Sequence, residues 1–92
     1  MRYEFRPSFE DSIKSLSREE KEEVKLAAVQ SLDILSRNQG AYKGVGLKRL
    51  KGDYWEIRCG IKTRIIFRWK DDLVEFILAG NHDDIKRYLD RM

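Results

Sequence analysis

The sequence predicts a small α+β domain: a four-stranded, mainly antiparallel sheet with an N-terminal helical hairpin on one face and a short C-terminal helix. Three observations carry this expectation. An apolar stripe at helical spacing follows a capping box near residue 17. Three runs of strand-like alternation, separated by short turns, fill residues 54–79. At 92 residues, the chain has the size of one domain (1–92) with a modest core.

Taken in order, Arg2 to Arg6 alternates, with Tyr3 and Phe5 on one side of a short strand that Pro7 ends. Ser8 suits the cap of a short helix carrying Phe9, Ile13 and Leu16. Ser17 and Glu20 form a second cap, and Glu19, Glu20, Glu22 and Glu23 favour the positive end of the helix dipole. Val24, Ala28, Leu32 and Leu35, widened by Ala27 and Ile34, make its buried stripe, and Gly40 is the expected stop. Residues 40–52 lack a periodic run and read as a basic connection. Gly44 and Gly46 have no strand before them and no helix after, so they do not make a nucleotide-binding loop.

Strands are expected at 54–59, 62–70 and 73–79, with turns at Cys59-Gly60-Ile61 and Asp71-Asp72 short enough for antiparallel hairpins. In the first, Trp55, Ile57 and Cys59 share a core face, while Tyr54, Glu56 and Arg58 share the opposite one. In the second, Thr63, Ile65, Phe67 and Trp69 oppose Arg64, Ile66 and Arg68. The third, apolar at nearly every residue, is expected in the sheet interior. Gly80-Asn81 breaks it before a helix over 83–91 with Ile85 and Leu89 inward. The order is β-α-α-β-β-β-α, and one sheet face is left partly open with Glu56, Arg58 and Arg64 on it.

Charge is unevenly placed. The chain is +3 overall, yet residues 40–70 hold nine Lys/Arg against Asp53 and Glu56, a net of +7, between acidic flanks. A basic middle of this kind suits a polyanionic partner such as nucleic acid, or an acidic protein, and equally a merely solvated face. The lone Cys59 has no internal disulfide partner, and no Cys/His cluster has zinc-site spacing. Met1 leads into charged and aromatic residues rather than a signal-like apolar stretch, and no run reaches the roughly 20 apolar residues of a membrane span. A cytoplasmic protein without membrane partners is expected.

The order and spacing of LKRLKGDYWEIR, TRIIF and AGNHDDI, with a tyrosine shortly after, resemble the RelE/ParE superfamily of bacterial toxins from toxin–antitoxin pairs. The resemblance spans essentially the whole chain. It implies the fold described above, an antitoxin partner in a hetero-oligomer, and one of two activities. RelE-like members cleave mRNA on the ribosome without metal or other cofactor; ParE-like members share the fold but inhibit DNA gyrase without catalysis. An inactive homologue that only binds its antitoxin is a third possibility.

Carried over position by position, the resemblance places the third-strand arginine at Arg64 and the basic residue ending the second strand at Arg58. The polar residue after the last strand falls at His82 and the C-terminal aromatic at Tyr88. Glu56 stands where some members have lysine, a departure that argues against a lysine-based mechanism. RNA cleavage needs a base for the 2′-hydroxyl, cations for the phosphorane and an acid for the 5′-oxygen. Arg64 and Arg58 suit the phosphate, Glu56 and His82 the proton transfers, and Tyr88 stacking or orientation. Lys48, Arg49, Lys51 and Arg68 are the expected RNA-binding residues. Each has a plainer alternative: Glu56 and Arg58 suit cross-strand ion pairs, His82 a helix cap, Tyr88 a core position, and the lysines a solvated surface.

Overall fold

The structure, a computed structural model, describes residues 1–37 and 46–91, with Arg37 described by its backbone alone. The stop expected at Gly40 and the Lys43-Gly44 part of the basic connection lie outside them. The elements are β1 (Arg2–Phe5), α1 (Pro7–Ser12), α2 (Arg18–Arg37), β2 (Leu47–Lys51), β3 (Tyr54–Cys59), β4 (Thr63–Lys70), β5 (Leu73–Gly80) and α3 (His82–Asp90).

The strand order is β1-β5-β4-β3-β2. Strand β1 runs parallel to β5, and the other pairs are antiparallel. The sheet is therefore five-stranded and mixed, not four-stranded and mainly antiparallel as expected. The added strand is β2, LKRLK, from the stretch read as a connection. Its two leucines lie three residues apart and so face opposite sides of the sheet, Leu47 in the larger core and Leu50 against the smaller. Lys48, Arg49 and Lys51 are exposed, a common protection of an edge strand. One leucine per face leaves no alternation to detect.

Helices α1 and α2 cover one face. Phe9, Val24, Ala28 and Leu35 meet Ile57, Ile65, Phe67, Val74 and Phe76 in the main core. Ser31 is also fully buried, its hydroxyl donating to the Ala28 carbonyl at 2.6 Å. The capping box of α2 forms as expected: Ser17 Oγ accepts from Glu20 N, and Glu20 Oε1 accepts from Ser17 N, both at 3.1 Å. Ser8 is not the cap of α1. Pro7 occupies the first turn and Arg6 the cap position, where a missing backbone N–H costs nothing. The Ser8 hydroxyl instead donates to the Ile77 carbonyl at 2.6 Å, and Ser12 Oγ accepts from Ala79 N at 3.0 Å. These serines satisfy β5 beyond the point where β1 ends.

The opposite face carries a smaller cluster of Ile66, Ile77 and Ile85, flanked by Leu50, Tyr54, Leu78, Tyr88 and Leu89. Strand β5 supplies both cores because its pairing with β4 slips: Ile66 faces Leu78, but Phe67 faces Phe76. The extra residue places Ile77 and Leu78 on the same side. The bulge explains an apolar run too dense for simple alternation. The strand is interior as expected, although β4 is the central one.

Candidate functional site

The polar face of β2, β3 and β4 meets α3 in an open cavity of about 710 Å³. Lys48, Glu56, Arg58, Arg64 and His82 all line it. The register explains the grouping. Lys48 stands opposite Glu56, and Arg58 opposite Arg64, with Gly80 beyond Arg64 on β5. Facing residues on adjacent strands have Cβ atoms roughly 4.5–5.5 Å apart, so the two arginines present adjacent guanidinium groups on one surface.

Glu56 is the buried charged residue of the site, with 8% of its surface exposed. It is held diagonally across the strands by Arg64, whose Nη1 donates to Oε2 at 3.4 Å. That distance is long for a charge-assisted hydrogen bond, usually about 2.7–2.9 Å. No second partner of Arg64 occurs among the described residues, so its other N–H groups face the cavity unengaged. Arg58, exposed on β3, has no side-chain hydrogen bond or ion pair among the described residues. Its backbone N–H is held by the Gly46 carbonyl at 3.2 Å. A Cβ on Gly46, whose φ is +80°, would lie 3.2 Å from that of Arg58, so glycine permits this close approach.

Two features of the β5–α3 junction bring His82 in. Asn81 takes the cap, its side chain accepting from Asp84 N at 2.8 Å while Asp84 Oδ2 accepts from Asn81 N at 3.0 Å. The cap therefore does not use His82, which begins the helix and lines the cavity. Gly80 lets the first turn fold back closely: a Cβ there would fall 2.7 Å from Asp84 Cβ.

The other expected residues lie elsewhere. Tyr88 is on the far side of α3, lining a separate cleft with Ser12, Ser15 and Leu78 and contributing to the smaller core. Burial, and then the nearby Tyr54 phenol, hold its hydroxyl above the usual tyrosine range. Arg68 is engaged by Glu75 at 3.3 Å and Asp53 at 3.9 Å. Arg49 faces away from the cavity, its Nε donating to the Gly52 carbonyl at 3.0 Å, and Lys51 sits at the hairpin end without lining it. Lys86 and Asp90, which do line it, were not among the expected residues. Their signal is the four-residue step from His82 to Lys86 to Asp90, which places all three on one helix face. Among the described residues no cluster of three His, Cys, Asp or Glu side chains is arranged to hold a metal ion.

A five-stranded mixed sheet with a helical pair on one face and a C-terminal helix on the other is the fold of RelE/ParE-superfamily toxins. Among solved structures, the chain is similar to one in the RelB–RelE antitoxin–toxin complex from Methanococcus jannaschii, at 22% identity and a TM-score of 0.66 over 91% of this chain and 95% of that one. It is similar to YafQ from E. coli, at 20% identity and a TM-score of 0.66 over 92% and 98%. It is also similar to the YoeB/ParE toxin from Agrobacterium tumefaciens, at 22% identity and a TM-score of 0.57 over 89% and 99%. At these identities the likeness is one of fold. No protein-family model and no curated protein sequence matches the chain.

Proposed function

We propose that this protein is the toxin of a toxin–antitoxin pair and acts as a ribosome-dependent endoribonuclease on mRNA. The observation that carries the reading is the facing pair Arg58 and Arg64 beside buried Glu56 and His82, around one cavity. Like charges directly opposite one another on a sheet are unfavourable. A phosphate between the two guanidinium groups relieves that repulsion with bidentate hydrogen bonds. Glu56 takes the 2′-hydroxyl proton, the 2′-oxygen attacks phosphorus, and the arginines neutralise the phosphorane as its charge develops. His82 gives a proton to the departing 5′-oxygen, leaving a 2′,3′-cyclic phosphate and a 5′-hydroxyl. Lys48 holds the backbone beside them. A cognate antitoxin follows from the same resemblance, and the complex solved for the Methanococcus jannaschii protein supports it.

Primer extension on mRNA after induction in cells tests the reading. Wild type should halt translation and cut mRNA within codons, whereas Arg64→Ala and His82→Ala should lower cutting by roughly 10²–10³-fold. Toxicity that persists in Arg64→Ala with intact mRNA overturns it. The name ParE borne by one structural neighbour makes a gyrase assay the companion measurement: inhibition of supercoiling by the purified protein would favour the non-catalytic reading.

A further inference from the structure

The cavity holds more than a phosphate site requires. Its volume of about 710 Å³ lies in the roughly 300–1,000 Å³ range of whole small-ligand sites. Its lining also divides. One end carries Arg58, Arg64, Glu56 and His82; the other is walled by Leu47, Leu50, Ile85 and Leu89, with Lys86 and Asp90 at its rim. Neither Lys86 nor Asp90 has an ion-pair partner among the described residues, although they stand one helical turn apart.

We propose that the leucine-walled end is a nucleobase subsite for a guanine adjoining the scissile phosphate, read by Asp90 and Lys86. The inference rests on reading the arginine end as the phosphate site. A base extruded from single-stranded RNA needs apolar walls for its faces and polar groups for its edge. Leu50 and Leu89, half-buried against the smaller core, supply the walls. A carboxylate is an acceptor with two oxygens, and an ammonium is a donor. Guanine is the one base whose Watson–Crick edge sets two adjacent donors, N1–H and N2–H, beside an acceptor, O6. Asp90 takes the two donors and Lys86 the acceptor. Adenine offers one donor on that edge and leaves half the carboxylate unpaired. Because His82, Lys86 and Asp90 follow one another at four-residue steps, a single helix face runs from the acid to the reading groups.

The test is a titration of the purified full-length chain with guanosine 3′-monophosphate and adenosine 3′-monophosphate, followed by two-dimensional NMR. The guanosine nucleotide should bind roughly tenfold more tightly, as one bidentate pair confers, and should shift the Leu50 and Leu89 methyls. Asp90→Asn, an isosteric change at an exposed position, should abolish the preference. Equal binding of the two nucleotides, or a preference that survives Asp90→Asn, overturns the subsite. In cells, mapped cuts should be enriched in guanine beside the cleaved bond in wild type, and the enrichment should fall in Asp90→Asn; cuts without it overturn the proposal. If mRNA is not cut at all, the endonuclease reading falls and the titration alone decides the subsite.

Discussion

The site turns on the division of partners around Glu56. Its carboxylate is nearly enclosed, yet it is held by one long contact to Arg64, so it is both positioned and open to a proton. Glu56→Gln keeps the shape and removes the proton acceptor. We expect cleavage to fall by about 10²-fold or more in a ribosome-bound mRNA assay, with thermal unfolding little changed. A different residue reports its surroundings directly. Cys59, half-buried with its thiol 3.6 Å from the Glu23 carbonyl, has its ionisation pushed up, first by burial and then by the Glu23 carboxylate. The folded state thus favours the neutral thiol. Its contribution to stability is present below the unfolded thiol's pKa and is lost as pH rises through the folded one. Reaction with a chromogenic disulfide should be slower than for free cysteine at pH 8, and should accelerate at higher pH than free cysteine does. A rate equal to that of free cysteine at pH 8 would contradict this environment.

At the scale of elements, two short devices decide where helices start. The Ser17–Glu20 box lowers the Glu20 carboxyl below its usual range, through the Ser17 backbone and then its hydroxyl. That contribution is present above the unfolded carboxyl's pKa and fades as pH falls through the folded value. Ser17→Ala should cost about 1 kcal/mol in urea unfolding. Gly80 matters differently. An added methyl meets Asp84 at 2.7 Å, so Gly80→Ala should force the first turn of α3 off β5. The expected cost is about 1–3 kcal/mol, with amide shifts concentrated at residues 81–85 and reduced mRNA cleavage, because His82 moves with that turn. The bulge in β5 belongs to the same scale. It directs Ile77 and Leu78 together toward α3, and the α1 serines satisfy backbone groups on either side of it.

Across the whole molecule, stability concentrates where the larger core is thickest. Phe76 is fully buried and touches the rings of Phe5, Phe9 and Phe67 at centroid distances of 5.2, 6.3 and 5.8 Å. It joins β1, α1 and β4 through one side chain. Phe76→Ala should cost about 3–5 kcal/mol, a large part of a small domain's total of roughly 5–15 kcal/mol. Ile61, 94% exposed at the β3–β4 turn, is the contrasting site: Ile61→Ser should change stability by about 0.5 kcal/mol or less. Chemical denaturation of both variants checks the contrast.

The amino-acid sequence by itself determined the local structure: the capping box at Ser17, the two-faced alternation of residues 54–59 and 63–70, and the turns between the later strands. It also placed Glu56, Arg58 and Arg64 on one surface, because faces follow from a period of two within and between neighbouring hairpin strands. Tertiary structure decided the rest. The parallel pairing of β1 with β5 joins residues some 70 positions apart, and periodicity records which face a side chain uses, not which strand lies alongside. Strand β2 was illegible because its leucines serve opposite cores. The assembly of the site was equally non-local. Only the close seating of α3 on Gly80 brings His82, Lys86 and Asp90 to the same cavity as the arginines, while the same helix turns Tyr88 away into the smaller core.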